Sequence, residues 1–513
     1  MRRITRRSFA QAIGTGVAAV PLQTSSSRSA EEQVSARAGS PIGKPDEICD
    51  LSAVDMAARI RRRDLSAREV LAAHLARIER INPKVNAIVT LVAERAMADA
   101  ARADEQAAGG RALGVLHGLP VAHKDLLDTA GIRTTRGSRF LSDNVPKSDA
   151  LIVTRIRAAG AITCGKTNTP EYGAGSQTFN AVFGATRNPY DLMKTCGGSS
   201  GGAAVSVSCG MLPIADGSDM GGSLRNPAAF CNVVGLRPSP GRVPADGGSW
   251  SPLSVLGPMG RSVADVALFL SAIAGPDLRS PLSIAEDPAR FRAPLERDFK
   301  GVRVAWWQGL GGIPFEADIR RIVDGNRRVF EDLGCRVEDA EPDFTGVDQA
   351  FPALRFAANH PQYSELIRQR PEWVKDTLKF EVAQAERLTG ADLGRAMATQ
   401  TRVYDQSRAF FARYDYFVLP VTQVSPFDVD TPYPTEIAGQ KMATYLDWMR
   451  SCWYVTFTTA PAISVPAGFT PSGLPVGLQI VGRHRDEWSV LQMAYAFEQA
   501  TRHGLRRPAL AVS

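Results

Sequence analysis

One lysine and two serines set in glycine carry the chemistry open to this sequence. Lys124 closes the run Gly118-Leu119-Pro120-Val121-Ala122-His123-Lys124, with Asp125 following. Ser199 lies inside Gly197-Gly198-Ser199-Ser200-Gly201-Gly202, and Ser223 follows Asp219-Met220-Gly221-Gly222. A hydroxyl becomes a strong nucleophile when a base takes its proton, and the oxyanion it creates needs backbone N–H donors that no side chain screens. The three segments hold an amine, hydroxyls and glycine-flanked backbone open to close approach. Singly, each has a plainer reading, a flexible Gly/Ser linker or a solvated lysine. Their order and separation, 75 residues from Lys124 to Ser199 and 24 from Ser199 to Ser223, argue for one composite site.

Bringing such distant residues together requires a sheet. Short apolar runs at 120–122, 161–164, 212–215, 302–307, 416–419, 463–465 and 478–481 alternate with helical periodicity, which predicts an α/β fold with a central sheet covered by helices on both faces. Upstream, Ser66 and Glu69 form a capping box for a helix carrying Val70, Leu71, Leu75, Ile78 and Ile81 on one face, and Asn82-Pro83 ends it. A further helix is expected over 92–107, before Gly109-Gly110. Gly160-Ala161-Ile162-Thr163-Cys164-Gly165-Lys166-Thr167 matches the Walker A expression. A phosphate loop follows a strand and opens a helix at its Lys-Thr, whereas here 151–159 reads as helix and 161–164 as strand, so the context argues against a nucleotide.

The chain has 513 residues, 44% hydrophobic and 22% charged, the composition of a soluble globular protein with a large core. Its net charge of +7 owes five charges to Arg2, Arg3, Arg6, Arg7 and Arg28, in a stretch without acids, so the basic balance belongs to the leader and predicts no nucleic-acid partner. Residues 1–30, with Thr5-Arg6-Arg7-Ser8-Phe9 ahead of a weakly apolar stretch, read as a twin-arginine export signal and predict a periplasmic protein, the alternative being a basic tail. Residues 31–46 read as a linker. No stretch is long and apolar enough for a membrane helix, so stable membrane insertion is not expected. Seven widely spread cysteines without C-x-x-C spacing, and six histidines without an H-x-x-x-H pair, predict buried thiols and neither a disulfide framework nor a metal.

Together the three segments resemble the amidase signature family. The likeness extends to Gly165-Lys166-Thr167-Asn168-Thr169-Pro170-Glu171, Arg187-Asn188-Pro189-Tyr190-Asp191, Pro461-Ala462-Ile463-Ser464-Val465-Pro466 and Gly473-Leu474-Pro475-Val476-Gly477-Leu478-Gln479. It implies one α/β domain over 47–513 with a mixed central sheet and a variable, substrate-shaping region at about 280–450. It implies an amide hydrolase using a Ser–cis-Ser–Lys triad without a cofactor: Ser223 as nucleophile, Ser199, joined to Ser200 by a cis bond, as proton relay, and Lys124 as base and acid. The N–H groups of Met220, Gly221, Gly222 and Ser223 would form the oxyanion hole. Lys124 must then be neutral, and lowering its pKa by about 3 units from ~10.4 requires roughly 4 kcal/mol, hence a buried, hydroxyl-lined pocket.

By the same resemblance the partners are a small aliphatic or aryl amide and water, with carbamates, esters and peptide amides open to the same triad. The oligomeric state is open, a homodimer included. His123 departs from the aliphatic residue usual in the family and invites a Ser–His–Asp reading with Ser223 and Asp125. Neighbours in an extended segment face opposite ways, so His123 is expected to support the site from behind Lys124 or to pack, with the choice between the two left open. Asp125, Asp219 and Arg225 are expected to hold loops. Tyr172, Gln177, Trp448, Trp453 and Tyr454 are candidates for the substrate wall, core packing being the alternative for each. A glutaminase subunit of a tRNA amidotransferase is disfavoured by the leader and by Phe457-Thr458-Thr459-Ala460-Pro461 where that subunit has Asn-Leu-Ala-Gly-Leu-Pro. A noncatalytic binding protein is disfavoured by the intact triad.

Overall fold

The computed structural model describes residues 45–246 and 250–512. The leader and most of the expected linker lie outside the described residues. Pro45–Asp50, where the sequence predicts the end of the linker, is already helical.

Two sheets position the site. The smaller holds β1 (Ile88–Leu91), β2 (Pro120–Lys124) and β3 (Ile162–Thr167) in the order β1-β3-β2, with β2 and β3 parallel. The larger has eight strands: β4 (Ile214–Asp219), β5 (Val234–Arg237), β6 (Val255–Gly260), β7 (Arg303–Trp306), β8 (Arg336–Asp339), β9 (Tyr416–Pro420), β10 (Ala462–Phe469) and β11 (Pro475–Val481). Their spatial order is β8-β7-β9-β11-β10-β5-β6-β4, parallel at the β8-β7-β9 end and antiparallel elsewhere. The fold is therefore α/β with a mixed central sheet. Every residue of β11 and all but the last of β10 is buried, which requires cover on both faces.

The helices used below are α1 (Ala67–Val85), α2 (Gly201–Ser208), α3 (Arg225–Phe230), α4 (Val347–Gln369), α5 (Asp376–Ala385), α6 (Gly390–Arg413), α7 (Arg450–Phe457) and α8 (Glu487–Thr501). Helix α3 packs so closely on β11 that a Cβ at Gly477 would lie 2.5 Å from Ala229 Cβ. The described residues form one compact unit.

The capping box at Ser66 and Glu69 is present. Helix α1, however, passes through Pro83 to Val85. The Asn86 N–H donates to the Asn82 carbonyl, and the Asn82 side chain takes the N–H groups of Ala87 and Ile88, so the proline sits inside a capped last turn. In the Walker-like segment, Lys166 and Thr167 continue strand β3. Lys166 Nζ is buried and donates to the Leu127 carbonyl and, at 2.8 Å, to Thr129 Oγ1, so this lysine stitches a loop to the small sheet. Strands β5 and β6 have no counterpart among the expected runs, because Gly235, Gly257 and Pro258 dilute their apolar signal. Those glycines make room for Leu224, whose carbonyl oxygen would lie 2.5 Å from a Cβ at 235.

Candidate active site

Lys124 ends β2, where that strand meets β4. Asp216 of β4 accepts the Lys124 N–H through Oδ1 at 2.7 Å and faces His123 Nδ1 through Oδ2 at 2.6 Å. The other ring nitrogen of His123 lies 3.1 Å from Thr163 Oγ1. His123 thus packs between the sheets and takes no part in a Ser–His–Asp arrangement. Asp125 turns away as well, bonding Thr135 through its hydroxyl at 2.5 Å and its N–H.

The Lys124 side chain is fully buried, and Nζ meets three hydroxyl oxygens: Ser199 at 2.7 Å, Ser200 at 2.9 Å and Ser218 at 3.0 Å. Burial pushes its pKa from 10.5 down to about 7, against the opposing pull of Asp219 and Asp216. An ammonium has three N–H donors, which these oxygens match; a neutral amine has two donors and a lone pair, so one hydroxyl must turn and donate to it.

Ser199 and Ser200 stand at the entry to α2. The cis peptide bond joins Gly198 to Ser199, one bond earlier than the expected Ser199–Ser200 linkage. The Gly198 carbonyl accepts from Ser176 Oγ at 2.6 Å and the Gly197 carbonyl from Thr178 Oγ1 at 2.9 Å. Close approach of Ser176 and Gln177 explains the glycine, since a Cβ at 198 would lie 2.9 Å from the Gln177 nitrogen. The Ser200 N–H donates to the Ser223 carbonyl at 3.1 Å, bringing the two serine loops together.

The Ser223 loop is organised by one carboxylate at the end of β4. Asp219 accepts from Gly222 N (3.0 Å), Leu224 N (3.1 Å) and Arg225 (3.0 Å), while Arg237 donates to its carbonyl (2.5 Å). Burial would raise its pKa, but Arg225 and Arg237 overcome that and hold the carboxyl well below the usual range. Arg225 is in turn fixed by the Cys452 carbonyl, Thr456 Oγ1 and Gln479 Oε1. The expected four-donor oxyanion loop needs a correction, because the Gly222 N–H is taken by Asp219. Those of Met220, Gly221 and Ser223 have no acceptor among the described residues. Gly222 has φ +110°, and a Cβ there would lie 2.6 Å from Cys452 Cβ. Gly221 instead faces space, its nearest neighbours being Met449 Sδ at 3.9 Å and Phe351 Cζ at 4.0 Å. Ser223 is 9% exposed, and its Oγ has no hydrogen-bond partner among the described residues.

Of the five expected wall residues, Tyr172 is half-buried and precedes Gly173, where a Cβ would lie 3.4 Å from Ser199 Oγ. Gln177 donates to the Val429 carbonyl at 2.6 Å, leaving its Oε1 buried without a partner. The other three make the contacts of the alternative reading, core packing. Trp448 stacks on Phe230 (6.2 Å between centroids), Trp453 stacks on Phe351 (4.8 Å) and donates to the Leu446 carbonyl, and Tyr454 donates to Asp348 at 2.9 Å. The wall beside Gly221 comes instead from Phe351 and Met449. Arg355 on α4, paired with Glu381 of α5 at 2.8 Å, also reaches Met220 Sδ at 3.2 Å. None of these three carries a sequence signal. Ser218 does, since Asp216 and Ser218 alternate on one face of a strand and both meet Lys124.

A family model described as Amidase matches residues 69–491. The chain is 38% identical over 465 residues to an acylamidase of Rhodococcus erythropolis, covering 90% of this chain and 97% of that one. It is 35% identical over 495 residues to a glutamyl-tRNA(Gln) amidotransferase subunit from Moorella thermoacetica, covering 91% and 100%. Among solved structures, a bacterial aryl acylamidase of the amidase signature family superimposes with a TM-score of 0.84 at 28% identity, covering 90% of this chain and 98% of that one.

Proposed function

The chain belongs to the amidase signature family and is an amide hydrolase; from that premise we propose that it is a free-standing serine amidase acting on small aliphatic or aryl amides through a Ser223 acyl-enzyme. The observation that carries this reading is the environment of Lys124: a fully buried amine, near-neutral by desolvation, with Ser199 Oγ at 2.7 Å.

In the neutral state the Nζ lone pair takes the Ser199 hydroxyl proton, the shortest of its three contacts. Ser199 Oγ is then left as the acceptor for the proton of Ser223, whose own oxygen is unengaged and free to attack. The N–H groups of Met220, Gly221 and Ser223 receive the oxyanion, and loss of one such donor typically costs about 2.7–4 kcal/mol in the transition state. Lys124, now charged and satisfied by three hydroxyls, returns its proton to the departing amine. Water then releases the acid by the same path.

The acylamidase relative and the aryl acylamidase structure support amides with an acyl or aryl group. The competing reading, a glutaminase subunit, draws on the amidotransferase relatives and is opposed by the absence of that subunit's Asn-Leu-Ala-Gly-Leu-Pro lead-in. Carbamates and esters remain within reach of the same residues. The leader motif supports a periplasmic location for a protein whose seven cysteines are all buried free thiols, requiring no disulfide formation after export.

Ser223→Ala tests the reading. It removes one oxygen from a loop held by Asp219, so hydrolysis of aliphatic amides and anilides should vanish while the thermal midpoint stays within about 2 °C of the parent. Retained turnover would refute the nucleophile assignment, and ammonia release from glutamine in preference to every free amide would favour the glutaminase.

A further inference from the structure

A second cleft lies apart from the reaction centre. One stripe of α6, Tyr404, Ser407, Arg408 and Phe411 at helical spacing, faces the turns at Thr458–Ala460 and Arg483–His484 across a cavity of about 390 Å³. The first of these turns follows α7, whose opposite end carries the Cys452 that packs under Gly222, so the length of a helix separates cleft and nucleophile loop.

Three features give the cleft a ligand chemistry. Its size falls in the range of sites for small organic molecules. Its walls are largely apolar and aromatic, with the Tyr404 and His484 rings edge to face at 5.6 Å and Phe411 beside them. Its polar side chains are Arg408, Arg483, the hydroxyls of Tyr404, Ser407 and Thr458 and the His484 imidazole, and no carboxylate lines it. Ser407 is 3% exposed and its Oγ has no hydrogen-bond partner, a deficit that an incoming acceptor would relieve. Arg483 is already engaged by Asp415 and by the Phe411 carbonyl. Arg408 has one ionic neighbour, Asp405, at 3.9 Å, which leaves most of its donors available.

We propose that this cleft binds a small carboxylate with an apolar or aromatic body, the carboxylate meeting Arg408 and Ser407 and the body lying against Tyr404 and Phe411. The acid released by amide hydrolysis has this chemistry, as does any small arylalkyl acid, and occupancy does not depend on which residues perform the hydrolysis.

The test uses the full chain and phenylacetate, with 2-phenylethanol as the uncharged counterpart, followed by titration calorimetry. Phenylacetate should bind with a Kd of about 1 mM or tighter. Arg408→Glu, at an exposed position, and Ala412→Trp, which fills the mouth from an exposed site on α6, should each weaken it about tenfold without moving the thermal midpoint. Ser223→Ala should bind it as the parent does. 2-Phenylethanol should bind about tenfold more weakly than the acid. Absence of binding by the parent, equal affinity in parent and both cleft variants, or equal affinity for acid and alcohol would each overturn the proposal.

Discussion

Titrating one amine should switch the enzyme on across neutrality. Burial lowers the Lys124 pKa from 10.5 to about 7, equivalent to about 5 kcal/mol against the charged form at 1.36 kcal/mol per pH unit. An ordinary lysine at pH 7 is neutral in roughly one molecule in a few thousand, whereas Lys124 is neutral in about half. The neutral fraction is about one-tenth at pH 6 and nine-tenths at pH 8. The kcat/KM for an anilide should therefore rise nearly tenfold per pH unit below about 6 and level off above about 8. Stability should follow the same group. The folded-state pKa is depressed, so the unfolded chain binds more protons between about 7 and 10.5, and stability rises with pH in that window. The penalty is complete below the folded pKa and relieved above the unfolded one. Lys124→Met removes it, so the stability of the parent relative to Lys124→Met should improve by about 0.7 kcal/mol per unit at pH 7, steepening to about 1.4 kcal/mol per unit above pH 8. Urea titrations at three pH values measure this beside the rate profile. A rate still climbing steeply above pH 9, or a parent-to-variant gap independent of pH, would refute the argument.

Lys124→Ala should depress amide turnover further than turnover of a matched ester, because an amine leaving group needs the returned proton more; equal losses would assign the lysine to structure alone. Gly222→Ala places a Cβ 2.6 Å from Cys452 Cβ at a positive φ, so it should cost about 2–4 kcal/mol of stability and abolish turnover; parental turnover at a parental thermal midpoint would contradict the loop geometry. Residues 1–35 fused to a reporter that requires twin-arginine transport should reach the periplasm, and Arg6→Lys with Arg7→Lys should stop it; a double variant that still crosses would remove the export assignment.

Local chemistry makes much of the site readable in the sequence. Lys124, Ser199 and the Ser223 loop carry unusual residue types at fixed separations, and the structure places Lys124 against Ser199 and the two serine loops side by side. The cis bond falls one residue earlier than the sequence suggests because Gly198 and Ser199 look alike in a Gly/Ser run, and only the packing of Ser176 and Gln177 distinguishes them. The commitment of the Gly222 N–H to Asp219 is equally hidden, since it depends on a side chain folding back three residues. Trp448, Trp453 and Tyr454 draw attention by aromatic character, yet size favours the core, and the open space beside Gly221 is flanked by Phe351 and Met449 from a region without a motif. Strands β5 and β6 escape because glycines that admit Leu224 erase the apolar alternation on which strand reading depends.

Asp216 has a role that reaches beyond its two hydrogen bonds. The base sits on one sheet and the nucleophile loop on another, and no ladder of backbone bonds joins β2 to β4. The register of β2 is set by its parallel ladder with β3, so what remains to be fixed is where the small sheet meets β4. By taking the Lys124 N–H with one oxygen and His123 with the other, Asp216 ties the end of β2 to β4 through two neighbouring residues at once. The imidazole that invites a catalytic reading thus serves as a fastener between the two sheets, on the face of β2 opposite the base.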